Sequence, residues 1–487
     1  MIKPLPWQEA HLKAVAESLR LSRVYVDTSS TGAGKTILSL LACKRLGAPA
    51  IIVCPHSVLS YWQEWAAEIG VDVIACMNYE RILSMTQVTQ RYYDDPPRRE
   101  ETARQKRSRV KSSSLWREGV HPPASRKIRR TTLNLSKHPE GPDLLGGWKI
   151  VNREWHWNDE WLEDDPVMIF DEAHRLGGRK SKYHHFLEAT KDQDIRTLCL
   201  SATIADTPLR MKALAYRLGL IKSRSSRKFE AWCELNGCDR GDMNQLVYMG
   251  GEEDMREIKG TIGTKIGGIN TREVPDFPAS NLVLISAPVD KEALDEAYAE
   301  ALLKVAEEAE TEGVASLRAR QLSEWLKRDW CVSKAQDIVE GGSSVAIFVS
   351  FKATGDFLAK KLKCDFVCGE TKGERAEQVR KFQANESHYI VIMCQAGGES
   401  ISLHDLHGRP RATIVMPNHN ATEFVQVLGR VPRAKAQQSS VTQYIVFARG
   451  CQAEARVRRN LRVKSANIRT LTDNDLSVIP DKFSKPG

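Results

Sequence analysis

The stretch Ser29-Ser30-Thr31-Gly32-Ala33-Gly34-Lys35-Thr36 constrains this chain more tightly than any other. It follows a short β-type run, Arg23-Val24-Tyr25-Val26, and opens an apolar helix from Ile37 to Leu46. Strand, glycine loop, Gly-Lys-Thr and helix, in that order, are the layout of a phosphate-binding loop. Gly32 and Gly34 have no Cβ, so the backbone can curl and aim its N–H groups inward. The helix N-terminus behind the loop adds roughly +0.5 charge at the same point. Ser30, Thr31 and Ala33 complete the cradle. Lys35 is long enough to reach β- and γ-phosphates, and Thr36 offers a hydroxyl to Mg²⁺. Ser29 stands where a first glycine is usual.

A chain of 487 residues has room for two to four domains, each with its own core. No apolar run approaches the ~20 residues that span a bilayer, so no membrane partner is expected. The N-terminus Met1-Ile2-Lys3-Pro4 carries no signal-type apolar region. The eleven cysteines are scattered; the pairs Cys364/Cys368 and Cys233/Cys238 do not repeat as a zinc framework. Reduced thiols in a cytoplasmic compartment, of a bacterium or a phage-infected host, are the expectation, with a nucleus as the alternative. The net charge of +9 is concentrated: residues 98–137 hold thirteen Lys/Arg against three Asp/Glu, which leaves the rest one unit negative. A near-neutral body with one basic segment suggests a local contact with a polyanion.

Along the chain, Gln8 precedes apolar residues at helical spacing (Leu12, Val15, Ala16, Leu19). An amide there can read adenine, since it both donates and accepts. Ala50–Cys54, Val71–Ile74, Pro166–Phe170 and Arg196–Leu200 read as strands of a parallel sheet alternating with helices such as Ser57–Glu68. Residues 85–147, rich in Arg, Ser and Pro, read as an insertion. Trp148, Trp155, Trp157 and Trp161 crowd its end and either stack on bases or pin the insertion to the domain. Residues 223–280, glycine-rich and weakly periodic, read as a linking brace; Lys291–Glu310 and Val314–Trp330 read as amphipathic helices. A second α/β unit then runs through strands Val345–Val349, Tyr389–Met393, Ala412–Met416 and Thr442–Phe447 to an Arg-rich helix, Ala453–Lys464. It contains no phosphate-binding loop. The expected domains are 1–222, the brace 223–280, 281–465 and a tail 466–487.

Polar motifs sit at strand C-ends, where ligands bind in open α/β sheets. Asp171, ending an apolar strand, suits a hard Mg²⁺ that keeps several waters. Glu172 can orient and deprotonate a water. Phosphoryl transfer asks chiefly for charge neutralisation, and a cation is missing on the far side of the γ-phosphate. Arg430 and Arg433 supply it if the second domain closes on the first.

Taken in order, these motifs resemble a superfamily 2 helicase or translocase in its Swi/Snf-like branch, of a compact build that suits a phage or viral protein. The likeness runs from about residue 5 to 465. Ser29–Thr36 resembles motif I, Pro55–Trp65 motif Ia, Asn78-Tyr79-Glu80-Arg81 the block after it, Asp171–His174 motif II and Ser201–Thr203 motif III. Phe348–Ser350 is similar to motif IV, Gln395–Leu403 to motif V and Gln426–Arg433 to motif VI. The resemblance implies two RecA-like lobes in tandem, with ATP in the cleft and nucleic acid across their top. It implies ATP contacts at Gln8, at the loop residues Ser30 to Thr36, at His174 and at Gln426. Thr36 and Asp171 would bind Mg²⁺. Lys35, Asp171, Glu172, Arg430 and Arg433 would be catalytic, and His174, Ser201 and Thr203 would couple ATP to nucleic acid. Ser400 replaces the last glycine of motif V, and the large insertions of chromatin remodellers are absent. The implied activity is ATP hydrolysis coupled to movement along DNA, chiefly duplex; an RNA helicase, or the motor subunit of a restriction or repair complex, are the alternatives.

Overall fold

The computed structural model describes residues 2–84, 86–88, 148–151, 154–178, 181–242, 244–290, 292–296, 312–371, 373–397, 401–434, 436–473, 480 and 482–484. The basic segment 98–137, most of the expected helix Lys291–Glu310, and Ser400 lie outside them.

Two six-stranded, all-parallel sheets follow one another along the chain, with helices on both faces of each. They are the two RecA-like lobes expected. The first is built from β1 (Val24–Asp27), β2 (Ala50–Cys54), β3 (Val73–Asn78), β4 (Val167–Asp171), β5 (Arg196–Leu200) and β6 (Ile266–Gly267), in the order β6-β1-β5-β4-β2-β3. The second contains β7 (Ala279–Ala287), β8 (Ser344–Val349), β9 (Phe366–Val367), β10 (Tyr389–Met393), β11 (Arg411–Val415) and β12 (Ser440–Ala448), in the order β7-β12-β11-β8-β10-β9. Central strands such as Ala50-Ile51-Ile52-Val53-Cys54 are buried on both faces, which is why they read as unbroken apolar runs rather than alternating ones.

Several boundaries differ from the sequence reading. The third strand is Val73–Asn78 rather than Val71–Ile74, and a short helix, Tyr79–Ser84, follows at once. Val314–Trp330 divides into two helices, Glu312–Leu326 and Arg328–Glu340. The stretch 223–280, read as a linking brace, packs on the first lobe. Phe229, Cys233, Met255, Ile258 and Ile262 join the apolar core on one face of the first sheet, and Ile266–Gly267 pairs with β1 as its edge strand. Spaced apolar residues among glycines bury as fully as a dense run once helices present them on one side.

The tryptophans act as anchors where they are described. Trp157 and Trp161 are buried in the first core, and the Trp157 indole N–H donates to the Phe186 carbonyl at 3.2 Å. Trp155 packs partly buried against the same core. All eleven cysteines are free thiols. Among the described residues, no helix is long and apolar enough to cross a membrane.

The Arg-rich helix runs from Gln452 to Thr472, well past Lys464. It begins on the second lobe, where Val457 and Leu461 are core residues, and ends on the first. There Asn467 Nδ2 donates to the Asp206 carbonyl at 3.1 Å, and Lys464 pairs with the Asp206 carboxylate at 3.4 Å. Arg469 pairs with Glu252 at 3.1 Å, and the Thr28 hydroxyl donates to the Thr472 carbonyl at 3.3 Å.

Candidate active site

The phosphate-binding loop leaves β1 at Asp27 and enters the helix Lys35–Leu46. Gly32 (φ +90°) and Gly34 (φ +88°) adopt the left-handed conformation that the curl requires. The loop is tied down from behind by the edge strand: Thr28 N–H donates to the Gly267 carbonyl (2.8 Å), Ser30 N–H to the Ile269 carbonyl (2.9 Å), and Ile269 N–H to Ser29 Oγ (2.9 Å). Gly268 permits this approach, because a Cβ there would lie 2.3 Å from Ser29 N. Beneath the loop, Asp27 Oδ1 accepts from Ser29 N–H at 2.8 Å and Oδ2 lies 3.3 Å from His11 Nε2. Burial works to raise the Asp27 carboxyl, but His11, Lys35 and the Ser29 N–H outweigh it and hold it below the ordinary carboxylate value. Lys35 is drawn down by burial, against the pull of Asp27, Glu172 and Asp171. Its ammonium donates to the carbonyls of Ser29 (2.8 Å) and Ser30 (3.3 Å). Thr36 occupies the second position of the helix, beside it.

Gln8 lies against the phosphate-binding loop. Its Nε2 donates to the Ala33 carbonyl at 3.0 Å, and its Oε1 accepts from Leu5 N–H at 3.0 Å. One N–H and one lone pair of the amide are engaged with backbone, so Gln8 braces the loop.

Asp171 ends β4. Its Oδ2 accepts from the Trp62 indole at 3.0 Å, its Oδ1 from Glu172 N–H at 3.0 Å, and its carbonyl from the Tyr79 hydroxyl at 2.7 Å. Burial, then the neighbouring Glu172 charge, raises the Asp171 carboxyl. Glu172 sits in the left-handed region at φ +53°. Its own burial is overcome by His174, Arg430 and Lys35, so it is held low and ionised. Glu172 Oε2 lies 3.2 Å from His174 Nδ1, and that nitrogen is also 3.2 Å from Ser201 Oγ, which in turn accepts from Thr203 N–H at 3.2 Å. A continuous polar chain therefore joins motif II to motif III.

The second lobe meets this surface directly. Gln426 Nε2 donates to Glu172 Oε2 at 3.2 Å. Arg433 lies against the phosphate-binding loop: a Cβ on Gly32 would come within 3.0 Å of Arg433 Cδ. A Cβ on Gly429 would meet the Thr31 side chain at 3.1 Å. Arg430 and Arg433 both donate to the Ile401 carbonyl at 3.4 Å. Arg433 is drawn down to about 9 by burial and then by the adjacent Arg430 charge, with Glu172 opposing. Lys35, Asp171, Glu172, Arg430 and Arg433 thus line one seam. The sequence reading missed four supports of this seam: His11 and Asp27 under the loop, and Trp62 and Tyr79 holding Asp171.

Comparison with known proteins agrees with this arrangement. Residues 331–435, which include both arginines, match the family described as Helicase conserved C-terminal domain. A protein of Acanthamoeba polyphaga mimivirus, named "Putative ATP-dependent RNA helicase L364", is 28% identical over 500 residues, spanning 97% of this chain and 84% of that one. These likenesses support a superfamily 2 helicase. Among solved structures, the chain is similar to Saccharomyces cerevisiae Dbp5 bound to RNA and ADP BeF3, with TM-score 0.43, 12% identity, and 96% and 94% of the two chains covered. It is also similar to the Sulfolobus solfataricus SWI2/SNF2 ATPase core in complex with dsDNA, with TM-score 0.34, 16% identity, and 91% and 88% covered. The matches support a helicase-type nucleic-acid motor.

Proposed function

We propose that this helicase hydrolyses ATP in the seam between its lobes and uses their closure to move along duplex DNA, as a member of the Swi/Snf-like branch. The observation that carries the reading is the 3.2 Å contact from Gln426 to Glu172, which puts a second-lobe side chain on the carboxylate best suited to act as base. Mg²⁺-ATP supplies the phosphoanhydride that is cleaved. The residues fit such a guest. Ser30 Oγ and Arg433 Nε are buried without a hydrogen-bond partner among the described residues, as groups awaiting phosphate oxygens would be. Loop amides from Ser30 to Gly34, with Lys35, would hold the phosphates. Thr36 and Asp171 would hold Mg²⁺, Glu172 would orient and deprotonate water, and Arg430 and Arg433 would neutralise charge from the second lobe. The polar chain through His174, Ser201 and Thr203 offers a route from the nucleotide to bound nucleic acid.

Duplex DNA follows from the Swi/Snf-like motifs; RNA is the second reading, favoured by the name of the mimiviral relative. ATP turnover measured with duplex DNA, single-stranded DNA and RNA, with Glu172→Gln as the inactive control, decides between them. Stimulation by duplex DNA is expected, whereas stimulation by RNA alone overturns the DNA reading. The basic segment 98–137 is proposed as a second backbone contact. Its deletion should flatten the slope of log K against log[salt], and an unchanged slope refutes it.

A further inference from the structure

One cluster outside the seam has no part in that chemistry. His184, His185 and Glu188 open the helix His184–Asp192, which follows the motif II turn Ala173–Leu176. One ligand-capable atom from each lies within 4.8 Å of the others, and among the described residues no other such group of three does.

Each member is prepared in a different way. His184 Nδ1 lies 2.5 Å from the Ser181 carbonyl, so that nitrogen carries the proton and Nε2 keeps its lone pair. This is the outer-shell arrangement that orients metal-binding imidazoles. The His185 ring stacks on Trp155, with centroids 5.6 Å apart and planes 11° apart, which fixes its plane. Glu188 is the anomaly. It is only 2% exposed, yet its Oε1 has no hydrogen-bond partner, and its Oε2 meets nothing closer than His185 Nδ1 at 3.4 Å among the described residues. A buried carboxylate with an unmet oxygen is costly unless a cation satisfies it.

We propose that His184, His185 and Glu188 bind Zn²⁺, with the fourth position open to water on the half-exposed His185 side. Two imidazoles and one carboxylate are a borderline-soft set that suits zinc and leaves the hard Mg²⁺ to the oxygen ligands of the seam. Bonds of 2.0–2.1 Å place tetrahedral ligands about 3.4 Å apart, so the three atoms, within 4.8 Å of one another, draw together by up to about 1.4 Å on binding as the two imidazoles turn. The helix also carries the hairpin Trp148–Val151/Glu154–Trp157, through Trp155 on His185 and through Trp157 on Phe186. The ion would therefore fix the His185 ring on which Trp155 of that hairpin stacks. This holds whichever nucleic acid the motor follows.

The test is a titration of the metal-stripped full chain with Co²⁺ in excess Mg²⁺, followed by Zn²⁺ displacement. One equivalent of Co²⁺ with a four-coordinate d–d spectrum is expected. Its affinity should fall by roughly 100-fold or more in Glu188→Gln and His185→Ala, beyond the range seen on losing an outer-shell partner. His185 is half exposed, so His185→Ala carries the test if Glu188→Gln fails to fold. Absence of Co²⁺ binding, affinity unchanged in His185→Ala, or a thiolate charge-transfer band overturns the proposal.

Discussion

Gly268→Ala offers a sharp test of how the phosphate-binding loop is held. A Cβ at this position would sit 2.3 Å from Ser29 N, 2.4 Å from Thr28 C and 2.8 Å from Ser29 Cα, all backbone atoms with no rotamer to give way. Ordinary contact would need the loop and edge strand to part by about 1 Å. That displacement falls on three bonds of 2.8–2.9 Å between Thr28–Ser30 and Gly267–Ile269. At about 1 kcal/mol each, more where a buried group is left unpaired, the loss is about 3 kcal/mol. If the strand yields, the first lobe unfolds at lower urea. If the loop yields, nucleotide affinity drops by roughly 100-fold. A fluorescent ATP analogue and a urea titration measure both. Gly260→Ala is the internal control: it lies in the helix Glu252–Ile262 with open space around it and should stabilise by about 0.4–1 kcal/mol. Wild-type affinity together with a wild-type urea midpoint in Gly268→Ala would refute the reasoning.

Glu172→Gln should bind ATP and lose turnover; hydrolysis at the parental rate would remove Glu172 from the role of base. Gln426→Ala should lower kcat by roughly 10–100-fold, the worth of one hydrogen bond to a charged group, while leaving nucleotide affinity near normal; a matched loss of affinity would instead make Gln426 a binding residue. In the second lobe, Lys327 is buried with its ammonium 2.6 Å from Glu454, which also accepts from Ser323. Lys327→Met should cost about 3–5 kcal/mol by leaving that carboxylate uncompensated, and adding Glu454→Gln should recover much of it. Urea unfolding checks both, and a loss below 1 kcal/mol in the single variant would contradict the account.

The legible parts of this fold were those in which local chemistry and tertiary role coincide. Ala50–Cys54 is apolar because both faces are covered, and Asp171 follows such a run because the site lies at its end. The third strand was misplaced because it alternates between buried and half-buried, and Cys76, Met77 and Asn78 are poor strand markers. Ile266–Gly267 could not be found by pattern at all: two residues carry no period, and their membership in the sheet depends on β1, about 240 positions away. Arg430 and Arg433 were legible as a pair of fixed charges, but only the folded chain shows Arg433 against Gly32. For Gln8, the residue type suits base reading, and only the folded chain shows its amide bonded to Leu5 and Ala33 beside the loop. The spacing of His184, His185 and Glu188 was there to be seen in the sequence; the unmet oxygen and the Trp155 stack were not.

The helix Gln452–Thr472 gives the two lobes a second tie, held by hydrogen bonds and ion pairs, besides the covalent segment that leads from β6 into β7. With two tethers, one lobe cannot drift away from the other; it can only swing. Its far end also reaches Thr28, one residue beyond β1, and Asp206, beyond motif III. A swing large enough to free a spent nucleotide must therefore flex this rod or peel its last turn off the first lobe. The strength of that docking would act as a spring constant on the working stroke.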